Sequence, residues 1–195
     1  MRNKRIQTVI DRLEAMPKQG ERYDGGTEKA RRNPIRADTG WLLYSYMLAS
    51  KPFYALEIGT AFGLSTCYLG AGLRNSGAMI HTIEFDPEVA KTAQANLDEA
   101  GINAKVWSGD ALKVIPCMKG KLVAKFGLVF LDADKASYLR YYRALVENNL
   151  LMPNVVILAD NVLDRASEVK DFMAFMQDYP HTVIPTECGL LVASI

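Results

Sequence analysis

The 195-residue chain carries 23 Lys and Arg against 22 Asp and Glu, with 49% hydrophobic and 23% charged residues. That is the size and balance of one compact globular domain (1–195, with 1–32 as an N-terminal helix and loop extension), and it excludes a disordered chain. No apolar run reaches the roughly 18 residues of a bilayer span, and near-neutral charge argues against broad nucleic-acid binding without excluding a local basic patch.

The first residues, MRNKRIQTVIDRLEAM, are basic but lack an apolar core, so no secretory signal is expected. Spacings of three and four between Ile6, Ile10, Leu13 and Met16 predict a short amphipathic helix over 3–16. Residues 17–29 are polar and glycine-bearing, a loop. A helix over 37–50 follows, and then apolar runs and helical segments alternate. FYALEIG leads through a glycine turn to LSTCYLGAGL, and AMIHTIEF to PEVAKTAQANLDEAG, which closes on Gly101. NAKVWSG precedes DALKVIPCM, FGLVFLDAD precedes KASYLRYYRALVENNL, and NVVILADN precedes RASEVKDFMAFMQDY. HTVIPT and GLLVASI end the chain, with too little sequence between them for a helical crossover.

Nearly continuous apolar strands between helices predict an α/β protein with one doubly wound, mostly parallel, seven-stranded sheet whose last strand runs antiparallel. Cys67, Cys117 and Cys188 are odd in number and lack C-x-x-C spacing. They are expected as reduced, mostly buried thiols of a cytoplasmic protein, not as a disulfide framework or zinc site. His81 and His181 each open a β-like run and are expected at strand ends, which leaves no multi-His metal site or Ser-His-Asp triad.

Ligands of such a sheet bind beyond the carboxyl ends of its strands. Those ends here read Glu57-Ile58-Gly59-Thr60-Ala61-Phe62-Gly63, Glu84, Gly109-Asp110, Asp132-Ala133-Asp134-Lys135 and Asp160-Asn161. A dinucleotide fingerprint fails at Ala61 and Leu64, and no phosphate-loop G-K-[ST] is present. A carboxylate beside the first turn disfavours a pyrophosphate and suits a cationic ligand, while Glu84 suits a ribose diol. Together these features favour S-adenosylmethionine.

LEIGTAFGLST (55–65), TIEFDP (82–87), GDA (109–111), VFLDADKASY (129–138) and LADNVL (158–163) resemble the metal-dependent O-methyltransferases, the group of the catechol and caffeoyl-CoA O-methyltransferases. The resemblance runs over about 33–195 and implies their Rossmann-like fold. By its implication Ile35, Glu57, Gly59, Thr60, Gly63 and Ser65 lie along the cofactor's methionine portion and the turn. Glu84 binds the ribose, and Asp110 and Ala111 lie beside the adenine. Asp132, Asp160 and Asn161 match the family's metal ligands, with Asp132 also near the cofactor, and Lys135 matches its general base.

An oxygen-only ligand set favours Mg2+, or Ca2+ or Mn2+, over zinc or copper. A vicinal diol such as a catechol would complete the coordination, and a neutral Lys135 would take the hydroxyl proton. Simpler readings stand beside these. Asp134 and Ser65 suit helix caps, Tyr138, Tyr141 and Tyr142 suit packing or a dimer surface, Trp41 suits packing, and Arg31, Arg32 and Arg36 suit a solvated patch. The segment after LADNVL is shorter than in many family members, which implies a more open acceptor pocket. The expected acceptor is a small hydroxylated molecule and the expected assembly a homodimer. The alternatives are methylation of a hydroxyuridine in transfer RNA, for which the basic RRNPIR segment speaks, and a non-catalytic S-adenosylmethionine-binding protein.

Overall fold

The computed structural model describes residues 3–16, 34–73 and 77–195, so the loop expected over 17–29, and Arg31 and Arg32, lie outside it. Seven strands, β1 (Tyr54–Ile58), β2 (Met79–Glu84), β3 (Ala104–Ser108), β4 (Phe126–Leu131), β5 (Leu151–Ala159), β6 (His181–Ile184) and β7 (Leu190–Ser194), form one sheet. Their order is β3-β2-β1-β4-β5-β7-β6. The first five run parallel, and β7 lies antiparallel to both β5 and β6. Strand order reverses between β1 and β4, which makes the carboxyl ends of those two strands the natural crevice.

All five residues of β1 are buried, Glu57 included, because helices cover both faces. The helices are α1 (Lys4–Glu14), α2 (Ala37–Ser50), α3 (Leu64–Gly72), α4 (Pro87–Ala100), α5 (Ala111–Met118), α6 (Tyr138–Glu147) and α7 (Lys170–Met176). One core, containing Leu56, Val129, Ile157, Tyr138 and Phe172, forms beneath α5, α6 and α7. The other, containing Leu43, Leu69, Leu128 and Leu158, forms beneath α1 to α4. None of these helices, among the described residues, is long and apolar enough to cross a membrane.

Local chemistry sets the boundaries. Asp86 accepts from the amides of Glu88 and Val89 at the start of α4, and Gly101 closes that helix at φ 70°. α1 is capped by Asn3 and buries Ile6, Val9, Ile10 and Leu13. Its outer side is tied down by Arg5, which donates to the carbonyls of Asp98 and Glu99, and by Arg12, which pairs with Glu99 at 2.5 Å. Arg12 also reaches Asn96 at 3.3 Å, and Asn96 Nδ2 donates to the Phe62 carbonyl at 2.9 Å.

Several elements differ from the sequence expectation. The helix expected over 165–179 shortens to α7: ahead of it Glu168 and Val169 both bond the Arg165 carbonyl in a turn, and after it Asp178 and Tyr179 bond carbonyls three residues back. A 3-10 turn, Lys135–Ser137, precedes α6. β5 begins at Leu151, ahead of NVVILADN. The three thiols are free, but only Cys67 is buried, Cys117 being exposed and Cys188 half-buried.

His81 does not open its strand. It is the third residue of β2, buried against Tyr54 and Phe126, and its Nδ1 accepts from Trp107 Nε1 at 3.0 Å. Burial, aided by the Lys105 ammonium, lowers its pKa to about 4. The unfolded chain therefore binds the proton more readily, and this contribution to stability is present above about pH 6.5 and lost as pH falls toward 4. Thermal melts of the parent should lose roughly 1–2 kcal/mol more between pH 6.5 and 4.5 than those of His81→Gln. Equal acid slopes would show that His81 is not the responsible group.

Candidate active site

Beyond the carboxyl ends of β1, β2, β3 and β4 opens a cavity of about 660 Å³. The turn after β1 makes it possible. Gly59 has φ 105°, and a Cβ there would stand 2.3 Å from the Asp132 carbonyl oxygen, so only glycine lets β1 and β4 end side by side. The Asp132 amide donates to the Ile58 carbonyl at 2.9 Å and locks that register. Ala61 and Gly63 take φ 45° and 90°, turning the chain back into α3.

Nine of the residues singled out from sequence line the cavity: Ile35, Gly59, Thr60, Ser65, Glu84, Asp110, Ala111, Asp132 and Lys135. Gly63 instead caps α3 behind the wall, so Ser65 is a wall residue inside the helix and not its cap. Asp110 accepts from the Leu112 amide at 2.9 Å and starts α5. Glu84 is fixed by two backbone donors, Ala61 N at 2.9 Å and Asp86 N at 3.0 Å, one on each oxygen. Burial nevertheless raises its pKa.

Glu57 is placed differently from the expectation of a carboxylate facing the ligand. It is wholly buried beneath the turn, where it accepts from the hydroxyls of Thr66 and, at 2.6 Å, Thr82. Burial pushes its pKa up to about 7 against the pull of those hydroxyls. The acidic residues along the cavity are Glu84, Asp110, Asp132, Asp134 and Glu168 instead.

The far end of the cavity holds an ion pair. Lys135 Nζ meets Asp132 Oδ1 at 2.6 Å, and both side chains are 13% exposed. The 3-10 turn at 135–137 places that lysine one short turn beyond the end of β4. Burial raises the Asp132 pKa, opposed by Lys135. Asp160 and Asn161, at the end of β5, sit outside the cavity wall and are 3% and 4% exposed. Burial first, and the Asp132 charge second, push Asp160 up to about 7. Asp160 Oδ1 is buried with no hydrogen-bond partner, while Tyr138 donates its hydroxyl to the Asp160 carbonyl at 3.1 Å. Among the described residues no three His, Cys, Asp or Glu side chains gather as a metal-binding group, so a cation here depends on the Asn161 amide as a third protein ligand.

Other wall residues were not singled out as ligand contacts. Phe85, Asp134, Arg165 and Glu168 line the cavity, as does Tyr141, which packs and also faces it. Asp134 accepts from Ser137 Oγ at 2.6 Å, as a cap does. Phe85 directly follows the strand-ending Glu84, a position from which it could have been found. Leu13 of α1 and Pro34 complete the wall on the opposite side. Arg36 is not a free cation, since it pairs with Glu187 at 2.7 Å.

A family model described as O-methyltransferase matches residues 34–178. The chain is 36% identical over 110 residues to a catechol O-methyltransferase of Niastella koreensis, a match covering 55% of this chain and 48% of that protein. It is 32% identical over 152 residues to the catechol O-methyltransferase of Sus scrofa, covering 76% of this chain and 80% of that protein. The chain spans about half the length of several of the curated relatives it matches. The fold superposes on an O-methyltransferase from Bacillus cereus in complex with SAH with a TM-score of 0.80 at 23% identity, covering 100% of this chain and 92% of that one. The matched span carries the strands that build the crevice and the Asp132–Lys135 pair, and the chain belongs to the O-methyltransferase family.

Proposed function

We propose that this chain transfers a methyl group from S-adenosylmethionine to a hydroxyl of a small, catechol-like acceptor, with a divalent cation, Mg2+ or in its place Ca2+ or Mn2+, held by Asp132, Asp160 and Asn161. The carrying observation is the 2.6 Å Lys135–Asp132 pair at one end of a cavity whose other end is lined by Glu84, Asp110 and Ala111. A reducing, cytoplasmic setting belongs to this reading, since all three cysteines are free.

Glu84 suits the ribose. A carboxylate offers about four acceptor sites, and the two backbone donors leave room for two hydroxyls. Gly59 and Thr60 let a methionine chain run close to the backbone of the turn, with Ile35 and Leu13 as apolar walls. Phe85 and Ala111 offer apolar surface to an adenine. Homologues of known structure are bound to the demethylated product, as in the Bacillus cereus complex with SAH.

The donor set fits a hard cation. It consists of oxygen atoms only, and Asp160 Oδ1 is an orphaned buried acceptor. Burial raises the pKa of both carboxylates and the Asp132 charge raises that of Asp160 further, and a positive charge beside them relieves both costs. A bound divalent cation supplies Lewis acidity and orients a vicinal diol. Asp132 serves two partners, since it also holds the Lys135 ammonium. Once its ammonium has passed a proton to solvent, Lys135 accepts the acceptor's hydroxyl proton as a neutral amine while the methyl group moves from sulfur to oxygen, leaving S-adenosylhomocysteine. Alignment of donor and acceptor by the cavity walls supplies most of the rate, about 7–11 kcal/mol of barrier, and the base about 10²–10⁴-fold.

Lys135→Ala should lower kcat about 10²–10⁴-fold while S-adenosylmethionine affinity stays within about twofold, measured by labelled-methyl transfer and calorimetry. An unchanged kcat removes Lys135 from the chemistry. Glu84→Gln should weaken S-adenosylmethionine binding roughly 10–100-fold, as expected for a charge-assisted hydrogen bond to the ribose. Unaltered calorimetric affinity would overturn the ribose assignment. Excess EDTA should abolish methyl transfer to catechols yet leave S-adenosylmethionine binding intact, and full activity in chelator would refute the cation's role.

A further inference from the structure

The turn after β5 holds a carboxylate with no part in the reading above. Asn161 adopts φ 65°, and its carbonyl accepts from the Arg165 amide at 3.1 Å, so residues 161–165 make one tight turn. That turn is fastened to the start of β7. Val162 N donates to Gly189 O at 3.1 Å, Leu163 N to Cys188 O at 3.0 Å, and Asp164 N to Cys188 O at 3.3 Å. The fastening presents the Asp164 carboxylate to the Asn161 side chain. Asn161 Nδ2 stands 3.1 Å from Asp164 Oδ1 and 3.2 Å from Oδ2.

The geometry leaves one orientation for the amide. An ionised carboxylate only accepts, so the NH2 end of Asn161 must face Asp164 and the carbonyl end must face away. Without such a partner the two ends of an amide are nearly interchangeable. Arg165 does not take Asp164 away from this task. It approaches Asp164 only to 4.0 Å and pairs more closely with Glu168, at 3.1 Å. On the other side of Asn161 stands Asp160, whose buried Oδ1 has no partner.

We propose that Asp164 is a positioning residue that turns the Asn161 amide so that Oδ1, not Nδ2, faces the cation position beside Asp132 and Asp160. This rests on the cation site proposed above. Two carboxylates and one amide are the whole protein donor set, so the wrong end of that amide replaces a ligand oxygen with N–H donors that repel the cation. Outer partners of metal ligands typically govern affinity by 10–100-fold.

The test is Mn2+ affinity, read by electron paramagnetic resonance titration of the full chain without acceptor. Asp164→Ala should weaken Mn2+ binding 10–100-fold with S-adenosylmethionine affinity unchanged. Asp164→Glu, whose carboxylate still only accepts from Asn161, should stay within about threefold of the parent. Asn161→Asp added to Asp164→Ala should restore affinity, because a carboxylate offers oxygen at either end. Asp164 is 41% exposed, so truncation leaves no buried void. If Asp164→Ala does not fold, Asp164→Leu, of similar shape but without an acceptor, carries the same expectation. Parent-like affinity in Asp164→Ala overturns the proposal alone, as does equal weakening in Asp164→Glu, which keeps an acceptor-only group. A parent that binds no Mn2+ overturns the cation site and this proposal together.

Discussion

The contact between Gly59 and the backbone of Asp132 governs the rest of this molecule. β1 and β4 are neighbours at the reversal of strand order, and their ends must nearly touch for the two halves of the crevice to meet. A methyl group on residue 59 would lie 2.3 Å from a carbonyl oxygen that cannot move without breaking the β1–β4 register. Because that space is empty, the turn leading to α3 and the turn leading to α6 face one another across a single cavity. One turn carries Thr60 and Ala61, whose amide holds Glu84, and the other carries Asp132 and Lys135.

Electrostatics in this crevice follow depth. Glu57 lies deepest, where desolvation dominates and hydroxyl donors only moderate the penalty. Glu84 lies nearer the opening and is stabilised by backbone amides. Asp132 and Asp160 lie at the other end, where burial raises both, the Asp132 charge raises Asp160 further, and Lys135 offsets part of the rise. Uncompensated charge at such depth costs stability in the empty protein. That cost is the usual signature of groups arranged for a partner.

Much of this was legible in the sequence, for a physical reason. A parallel sheet covered on both faces writes its strands as apolar runs, and a polar residue at the end of such a run marks the ligand rim. Glu84, Asp110 and Asp132 line the cavity and were found that way, whereas Asp160 and Asn161, at the end of β5, lie outside its wall. The same burial hid the fate of Glu57. When every residue of a strand is enclosed, alternation no longer tells which side chains face the ligand, and Glu57 turned out to point at Thr66 and Thr82. His81 was misplaced to a strand end because its partner, Trp107, lies 26 positions away and on another strand. The short α7 was equally hidden, since the turn ahead of it is held at 162–164 by Cys188 and Gly189, chain-distant carbonyls that no local pattern reveals.

The first helix has a consequence of its own. α1 precedes the span matched by the family model, yet Leu13 forms part of the cavity wall. Among the described residues, α1 is not hydrogen-bonded into the sheet. It rests on α3 and α4 through an apolar stripe and two arginines, and through Asn96 one of these also touches the carbonyl of the wall residue Phe62. A wall fastened from outside can drift in sequence without disturbing the strands that carry the chemistry. Changes in this short, peripherally anchored segment would therefore reshape one wall of the pocket while the Asp132–Lys135 end stays as it is.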